Sequence, residues 1–201
     1  MKLYYHPGAC SLAPHIVARA LGLNVELVRI DRQKRTEHGA DFLAINPKGY
    51  VPALQLDDGS VLTEGPVIAQ YLADLKPEAG LVPLAGTFER YRVQEMLGYI
   101  NSELHKTHAP LFRAATPEAT REEIKQDLTK RYALIEKQLA ASPFIVGERF
   151  TIADAYLFTI ASWAGFLKLD LSRFPALGAY MARTAERPEV VSALKAESGG
   201  S

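Results

Sequence analysis

Tyr4-Tyr5-His6-Pro7-Gly8-Ala9-Cys10-Ser11-Leu12-Ala13-Pro14-His15 is the stretch that decides the fold. It leaves a short β-rich run, Leu3-Tyr4-Tyr5, and enters a helical pattern that runs from Leu12 to Leu21 and stops at Gly22. Pro14 locates the start of that helix. A helix interior rejects proline, but the first turn tolerates it because the N–H groups there have no intrahelical acceptor. The helix therefore begins near Cys10–Ala13, and its partial positive end lies beside the Cys10 thiol. A strand-to-helix junction of this kind stabilises a thiolate and makes a cysteine reactive. The competing reading is a small buried hydrophobe. Ser11 offers either a second activating hydroxyl or a helix cap, and Tyr5, at the end of the strand, is a secondary candidate beside it.

Outward from this junction, Val25-Glu26-Leu27-Val28-Arg29-Ile30 is a second β-rich run, and two strands separated by a helix predict a parallel βαβ unit. After a short helical link, Ala53-Leu54-Gln55-Leu56 and Val61-Leu62-Thr63 flank Asp57-Asp58-Gly59-Ser60, whose Asp-Gly pair predicts a tight antiparallel hairpin. A helix follows over Gly65 to Leu75, with Pro66 suited to its first turn. Lys76 to Gly86 carries Pro77, Gly80, Pro83 and Gly86 and reads as a linker. Beyond it only helical patterns occur, over 87–111, 117–141, 151–167, 175–186 and 189–196. The expected fold is α/β plus all-α: a small α/β domain over 1–80, a linker over 81–86 and an all-helical domain over 87–201. Ser198-Gly199-Gly200-Ser201 reads as a frayed end.

Composition narrows the function. The chain has 201 residues, of which 48% are hydrophobic and 23% charged, and its 23 basic residues balance 23 acidic ones to a net charge of zero. That balance argues against a general nucleic-acid binder and leaves no polybasic face for an anionic membrane. No apolar run is long enough to span a bilayer, and Met1-Lys2-Leu3-Tyr4-Tyr5 lacks the pattern of a secretory leader, so the expected location is the cytoplasm. A single cysteine forbids an internal disulfide and suits a reducing compartment. Since Cys10-Ser11-Leu12-Ala13 is not Cys-x-x-Cys, any thiol chemistry must use a partner from solution, such as a low-molecular-weight thiol.

Two further segments suit such a partner. In Ala44-Ile45-Asn46-Pro47-Lys48-Gly49-Tyr50-Val51-Pro52-Ala53-Leu54, Pro52 fits the beginning or edge of a strand. Val51 before it can leave its own N–H and C=O for an extended peptide to pair with. On the residues alone a trans Val51–Pro52 bond is favoured. Thr63-Glu64-Gly65-Pro66 sets an acid and a backbone N–H at a helix start, where the N–H attracts a carboxylate and Glu64 an ammonium, as an amino-acid head group would need. Glu64 could equally complement the helix dipole. Lys34 and Arg35 lie in a charged loop that is either a second carboxylate site or simply solvated.

In the helical half, Tyr91, Gln94, Gly98, Asn101 or Ser102, and His105 fall along one stripe, which predicts a wet cleft or an interface. His105-Lys106-Thr107-His108 has no carboxylate at zinc-protease spacing, and no metal site is expected. Thr151-Ile152-Ala153-Asp154 predicts a capping box at the start of a strongly apolar helix, a device for stability rather than turnover.

Together these residues resemble the bacterial beta-class glutathione S-transferases over essentially the whole chain. The matching motifs are Tyr4-x-x-Pro7-Gly8-x-Cys10-Ser11, Asn46-Pro47-Lys48-Gly49-Tyr50-Val51-Pro52, Leu62-Thr63-Glu64-Gly65, Ser102-Glu103-Leu104-His105-Lys106 and Phe150-Thr151-Ile152-Ala153-Asp154-Ala155-Tyr156-Leu157-Phe158. The resemblance implies a thioredoxin-like N-terminal domain, an all-helical C-terminal domain and a homodimer. It implies an enzyme with glutathione as co-substrate and no tightly bound cofactor, acting on small hydrophobic electrophiles, with a role in detoxification. By position, Cys10 is the active-site cysteine, able to exchange disulfides with glutathione. Val51 pairs with the peptide backbone, Pro52 is cis, Glu64 and Gly65 hold the γ-glutamyl head group, and Lys34 meets the glycyl carboxylate. Ser102 and His105 line the site, with His105 assisting proton transfer or orientation. Gly98 stands where the family usually has asparagine and Met96 where tryptophan is common. The alternative function is a carrier of the same fold that binds apolar compounds with little turnover.

Overall fold

A computed structural model of the protein describes residues 1–199. It divides into two compact units, one made of Met1–Val82 together with the chain from Glu186 onward, the other of Pro83–Ala185.

In the first unit four strands, β1 (Lys2–Tyr5), β2 (Glu26–Arg29), β3 (Ala53–Gln55) and β4 (Val61–Thr63), form one sheet in the order β2-β1-β3-β4. β1 lies parallel to β2, with Leu3 opposite Leu27, and antiparallel to β3, with Leu3 opposite Leu54. β3 and β4 make the expected hairpin. The parallel pair requires a crossover, and α1 (Leu12–Ala20) supplies it. Every residue of α1 from Leu12 to Ala18 is buried, which is why this stretch is apolar almost all round. Gly22, at φ 58°, turns the chain off the helix as its N–H donates to the Arg19 carbonyl and the Leu23 N–H to that of Ala18. The four-residue α2 (Phe42–Ile45) and α3 (Gly65–Asp74) complete the order read from the sequence. Tyr4, Val28, Ile30, Phe42 and Ala53 gather as one buried cluster. The sheet and crossover make this the thioredoxin-like domain expected.

The second unit is helical: α4 (Phe88–Tyr99), α5 (Lys106–His108), α6 (Glu118–Ala141), α7 (Ile152–Ala161), α8 (Trp163–Leu167) and α9 (Pro175–Ala185). All ten residues of α7 are buried, so its first turn has no water to satisfy it. The capping box does so instead. The Thr151 hydroxyl accepts the Ala153 N–H at 3.2 Å, while the Asp154 carboxylate accepts the N–H groups of Thr151 at 2.8 Å and Ile145 at 2.9 Å. Burial nonetheless pushes the Asp154 carboxyl up to about 6, against the hydrogen bonds that favour its charged form.

The structure corrects four expectations. The last helix, α10 (Pro188–Glu197), packs along α1 rather than joining the helical domain over 87–201. Amphipathic periodicity shows that a helix has a face to bury, not what buries it. The helix expected over 87–111 is interrupted by a π-helical turn at Ile100–His105, where the Lys106 N–H donates to the Asn101 carbonyl five residues back. The run over 151–167 breaks at Ser162 into α7 and α8. The Val51–Pro52 bond is cis, against the residue reading and as the resemblance implied. Of the end expected to fray, Gly200 and Ser201 lie outside the described residues.

Candidate active site

The Cys10 loop is closed by side chains from both of its flanks. Ser11, fully buried, accepts the His6 N–H at 3.2 Å and donates back to the His6 carbonyl at 3.3 Å. It therefore locks the loop and makes no side-chain cap on α1, and its proton is spent on the backbone rather than offered to a thiol. Tyr5 is buried in β1, and burial raises its hydroxyl above the ordinary phenol range; neither secondary candidate is placed as an activator. From the chain's far end, Glu197 accepts the Gly8 N–H at 3.0 Å. Nothing at sequence level singled out Glu197, since a carboxylate in a terminal amphipathic helix reads as solvated.

Cys10 is half-buried and its thiol donates to the Val51 carbonyl oxygen at 3.2 Å. Desolvation pushes the thiol up to about 12, more than the N–H groups of Cys10 and Ser11 pull it down, with Glu64 adding a further push. The expectation of a thiol lowered by the helix end is thus reversed in this form of the protein. The helix N–H groups do act in the expected direction, and burial outweighs them.

Val51 leads straight to Glu64 and Gly65. Pro52 is buried, and a Cβ placed on Gly65 would meet its Cγ at 3.5 Å. Glu64 stands at φ 70° and ψ 109°, a strained backbone for a residue with a side chain. That turn puts its carbonyl under α3, accepting the N–H groups of Val67 and Ile68 at 2.9 Å. Its carboxylate, 59% exposed, meets Lys48 Nζ at 2.8 Å, and Lys48 also reaches the Thr63 hydroxyl at 2.9 Å. Lys48 was quoted only as part of a motif; its hold on Glu64 needs the three-dimensional turn to be seen. Lys34, at φ 61°, donates to the Gly49 carbonyl at 2.7 Å and lies 5.7 Å from the centre of the Tyr50 ring. Cys10, Val51, Pro52, Gly65, Glu64 and Lys34 are thereby brought together in the first unit through short steps.

In the helical unit, the π-helical turn carries Ser102 and His105. The Ser102 hydroxyl is exposed and donates to the Gly98 carbonyl at 3.0 Å. His105 Nδ1 lies 2.6 Å from the Tyr156 hydroxyl, which donates to Asn101 Oδ1 at 3.0 Å. The His105 ring also stands edge-on to Trp163 at 5.0 Å. Sequence reading placed His105 and either Asn101 or Ser102 on one stripe, and it quoted Tyr156 only as part of a motif, where it looks like any other apolar position of α7. Among the described residues no three His, Cys, Asp or Glu side chains gather as a metal ion would need.

Residues 1–74 match the family model described as the glutathione S-transferase N-terminal domain, and residues 99–188 match that of the C-terminal domain. The chain is 50% identical over 198 residues to glutathione S-transferase GstA of Escherichia coli O157:H7, covering 98% of both. Among solved structures, a sphingomonad glutathione S-transferase complexed with glutathione is 44% identical, with 99% of this chain and 100% of that one covered and a TM-score of 0.96. A bacterial beta-class enzyme from Sphingomonas chungbukensis is 43% identical, with full coverage of both chains and a TM-score of 0.95.

Proposed function

The chain belongs to the glutathione S-transferase family, with the bacterial beta class among its relatives, and on that premise we propose how its residues divide the work of a glutathione transferase. The main chain of Val51 pairs with the cysteinyl unit of glutathione across the edge presented by Pro52. Glu64 takes the ammonium of the γ-glutamyl head group and the Gly65 N–H its carboxylate. Lys34 meets the glycyl carboxylate, and the helical unit contributes Ser102 and His105. The observation that carries this reading is the run of short contacts from the Cys10 thiol through Val51 and Pro52 to Gly65. That order supports the reading, because glutathione carries its thiol, its cysteinyl main chain and its γ-glutamyl head group in the same succession.

Two reactions follow. In conjugation the glutathione thiol gives its proton to His105, and its sulphur forms a bond to an electrophilic carbon of a small hydrophobic compound as the leaving group departs with its electron pair. In exchange the Cys10 thiolate attacks one sulphur of oxidised glutathione, forms a mixed disulfide and expels the other half as glutathione thiolate. The enzyme holds no cofactor tightly and works as a homodimer in the cytoplasm, where a lone free cysteine stays reduced. Tyr50, Phe88 and Tyr91, exposed at 75%, 65% and 57%, support burial against a second copy. No helix among the described residues is long and apolar enough to cross a membrane.

Intact mass after incubation with oxidised glutathione tests the exchange reaction. One glutathione added, removed by reductant and absent from Cys10→Ala, is the expected result. Undiminished disulfide reduction by Cys10→Ala would reject the nucleophilic role of Cys10.

A further inference from the structure

Tyr156 joins two residues of the π-helical turn. Its oxygen lies 2.6 Å from His105 Nδ1, and its hydroxyl donates to Asn101 Oδ1 at 3.0 Å. Asn101 and His105 are four residues apart on the Ile100–His105 turn, and both reach the same phenol. Tyr156 comes from α7 and is 2% exposed, so its oxygen is held in place by packing. A phenol has a single proton. With that proton on Asn101 Oδ1, the Tyr156 oxygen acts as acceptor toward His105, and the proton in the 2.6 Å contact belongs to Nδ1. A neutral imidazole carries only one N–H, which makes Nε2 its acceptor nitrogen.

We propose that Asn101 and Tyr156 are positioning residues that fix the tautomer of His105, so that Nε2 is the nitrogen that takes the proton in the transfer reaction. The inference rests on the reading of His105 as the residue that assists the glutathione thiol. In that step the S–H bond breaks, the proton passes to Nε2 and the electron pair stays on sulphur. The imidazolium formed keeps its Nδ1–H on the Tyr156 oxygen and needs no rearrangement. Asn101 sets the direction of the chain because Oδ1 only accepts. With an apolar side chain there, the phenol is free to turn its proton onto Nδ1, the ring's own N–H moves to Nε2, and the acceptor is lost. A contact that served packing alone would change stability on mutation and leave the tautomer as it was.

Nitrogen NMR of the histidine-labelled enzyme reads the tautomer directly, with the His105 signals assigned by their absence from His105→Gln. The unaltered enzyme is expected to show the Nδ1–H form, Asn101→Leu the Nε2–H form, and Asn101→Asp, which keeps an acceptor, the Nδ1–H form again. In conjugation of glutathione to chlorodinitrobenzene, Asn101→Leu should lower kcat about tenfold or more, with KM for glutathione within about twofold, and Asn101→Asp should restore the rate. If Asn101→Leu does not fold, Tyr156→Phe serves in its place: it removes the oxygen, and the ring should then lose its single tautomer. An Nε2–H form in the unaltered enzyme, or a tautomer untouched by these substitutions, would overturn the relay. Undiminished turnover by His105→Ala beside the expected tautomers would instead overturn the proton-accepting role of His105 and uphold the relay's hold on the ring.

Discussion

The Cys10 thiol donates to the Val51 carbonyl oxygen at 3.2 Å. The proposed nucleophile and the proposed peptide-pairing residue thus hold each other. Donation from S–H favours the protonated form, as does burial, and the thiol is pushed up to about 12. The first prediction follows from the sign of that shift. In the absence of glutathione, the fraction of thiolate at neutral pH is very small. The rate at which iodoacetamide labels Cys10 should therefore rise about tenfold per pH unit from neutrality upward, without levelling off below about pH 9. A rate already level near neutrality would show that the positive end of α1 governs the thiol after all.

Glu64 and Lys48 form an ion pair at 2.8 Å, with side chains 59% and 55% exposed. Solvent and salt screen such a pair, and its net contribution to folding is small. Binding a substrate ammonium is a different matter, because a charge-assisted hydrogen bond to a ligand is roughly twice as strong as a neutral one. Glu64→Gln should leave thermal stability nearly unchanged and weaken glutathione binding about tenfold or more by titration calorimetry. Lys48→Ala should also melt close to the unaltered protein. Unchanged affinity in Glu64→Gln would remove Glu64 from the head-group site.

These two pairs also mark what the sequence could and could not tell. The strand–helix junction was legible because Pro14 and Gly22 punctuate α1 and because Asp58-Gly59 marks the hairpin. The turn before β3 that carries Val51 and the helix start at Glu64 and Gly65 were legible because a strand beginning and a helix start are local properties. What was not legible depends on long-range neighbours. The Cys10 thiol meets a carbonyl 41 positions away, at Val51, and its desolvation outweighs the effect of the local helix end. Glu197 contacts Gly8 and His15 across more than 180 positions, and no periodicity can show that. The π-helical turn falls inside a continuous helical pattern, where the apolar spacing does not announce an extra residue.

Asp154 and Thr151 stabilise the start of a helix whose ten residues are all buried. Thr151→Ala removes a capping acceptor and should cost about 1 kcal/mol. Asp154→Ala leaves the N–H groups of Thr151 and Ile145 without the carboxylate and opens a buried void, so its cost should be larger, about 3 kcal/mol. Urea unfolding measures both, and kcat per folded site should stay within about twofold because neither residue belongs to the proposed site. A Thr151→Ala enzyme of full stability but poor turnover would contradict a purely structural cap.

Glu197 and His15 form an enclosed contact in the first unit, with side chains 3% and 2% exposed and Nδ1 3.0 Å from Oε1. Arg19 Nε donates to His15 Nε2 at 3.1 Å, so the Nδ1 proton is the one given to Glu197. The other carboxylate oxygen, Oε2, accepts the Gly8 N–H at 3.0 Å. One side chain of α10 therefore ties α1 to the loop that ends at Cys10. Removing the carboxylate leaves the His15 Nδ1–H and the Gly8 N–H without their acceptor, at a cost of about 1–3 kcal/mol for each donor that stays desolvated. Glu197→Ala should lower the urea midpoint by a corresponding amount. It should also loosen the loop at Gly8, so that iodoacetamide labels Cys10 faster at a fixed pH under native conditions. A midpoint equal to that of the unaltered protein would show that α10 is held on α1 by its apolar side chains, Val190 and Ala193, without help from the carboxylate.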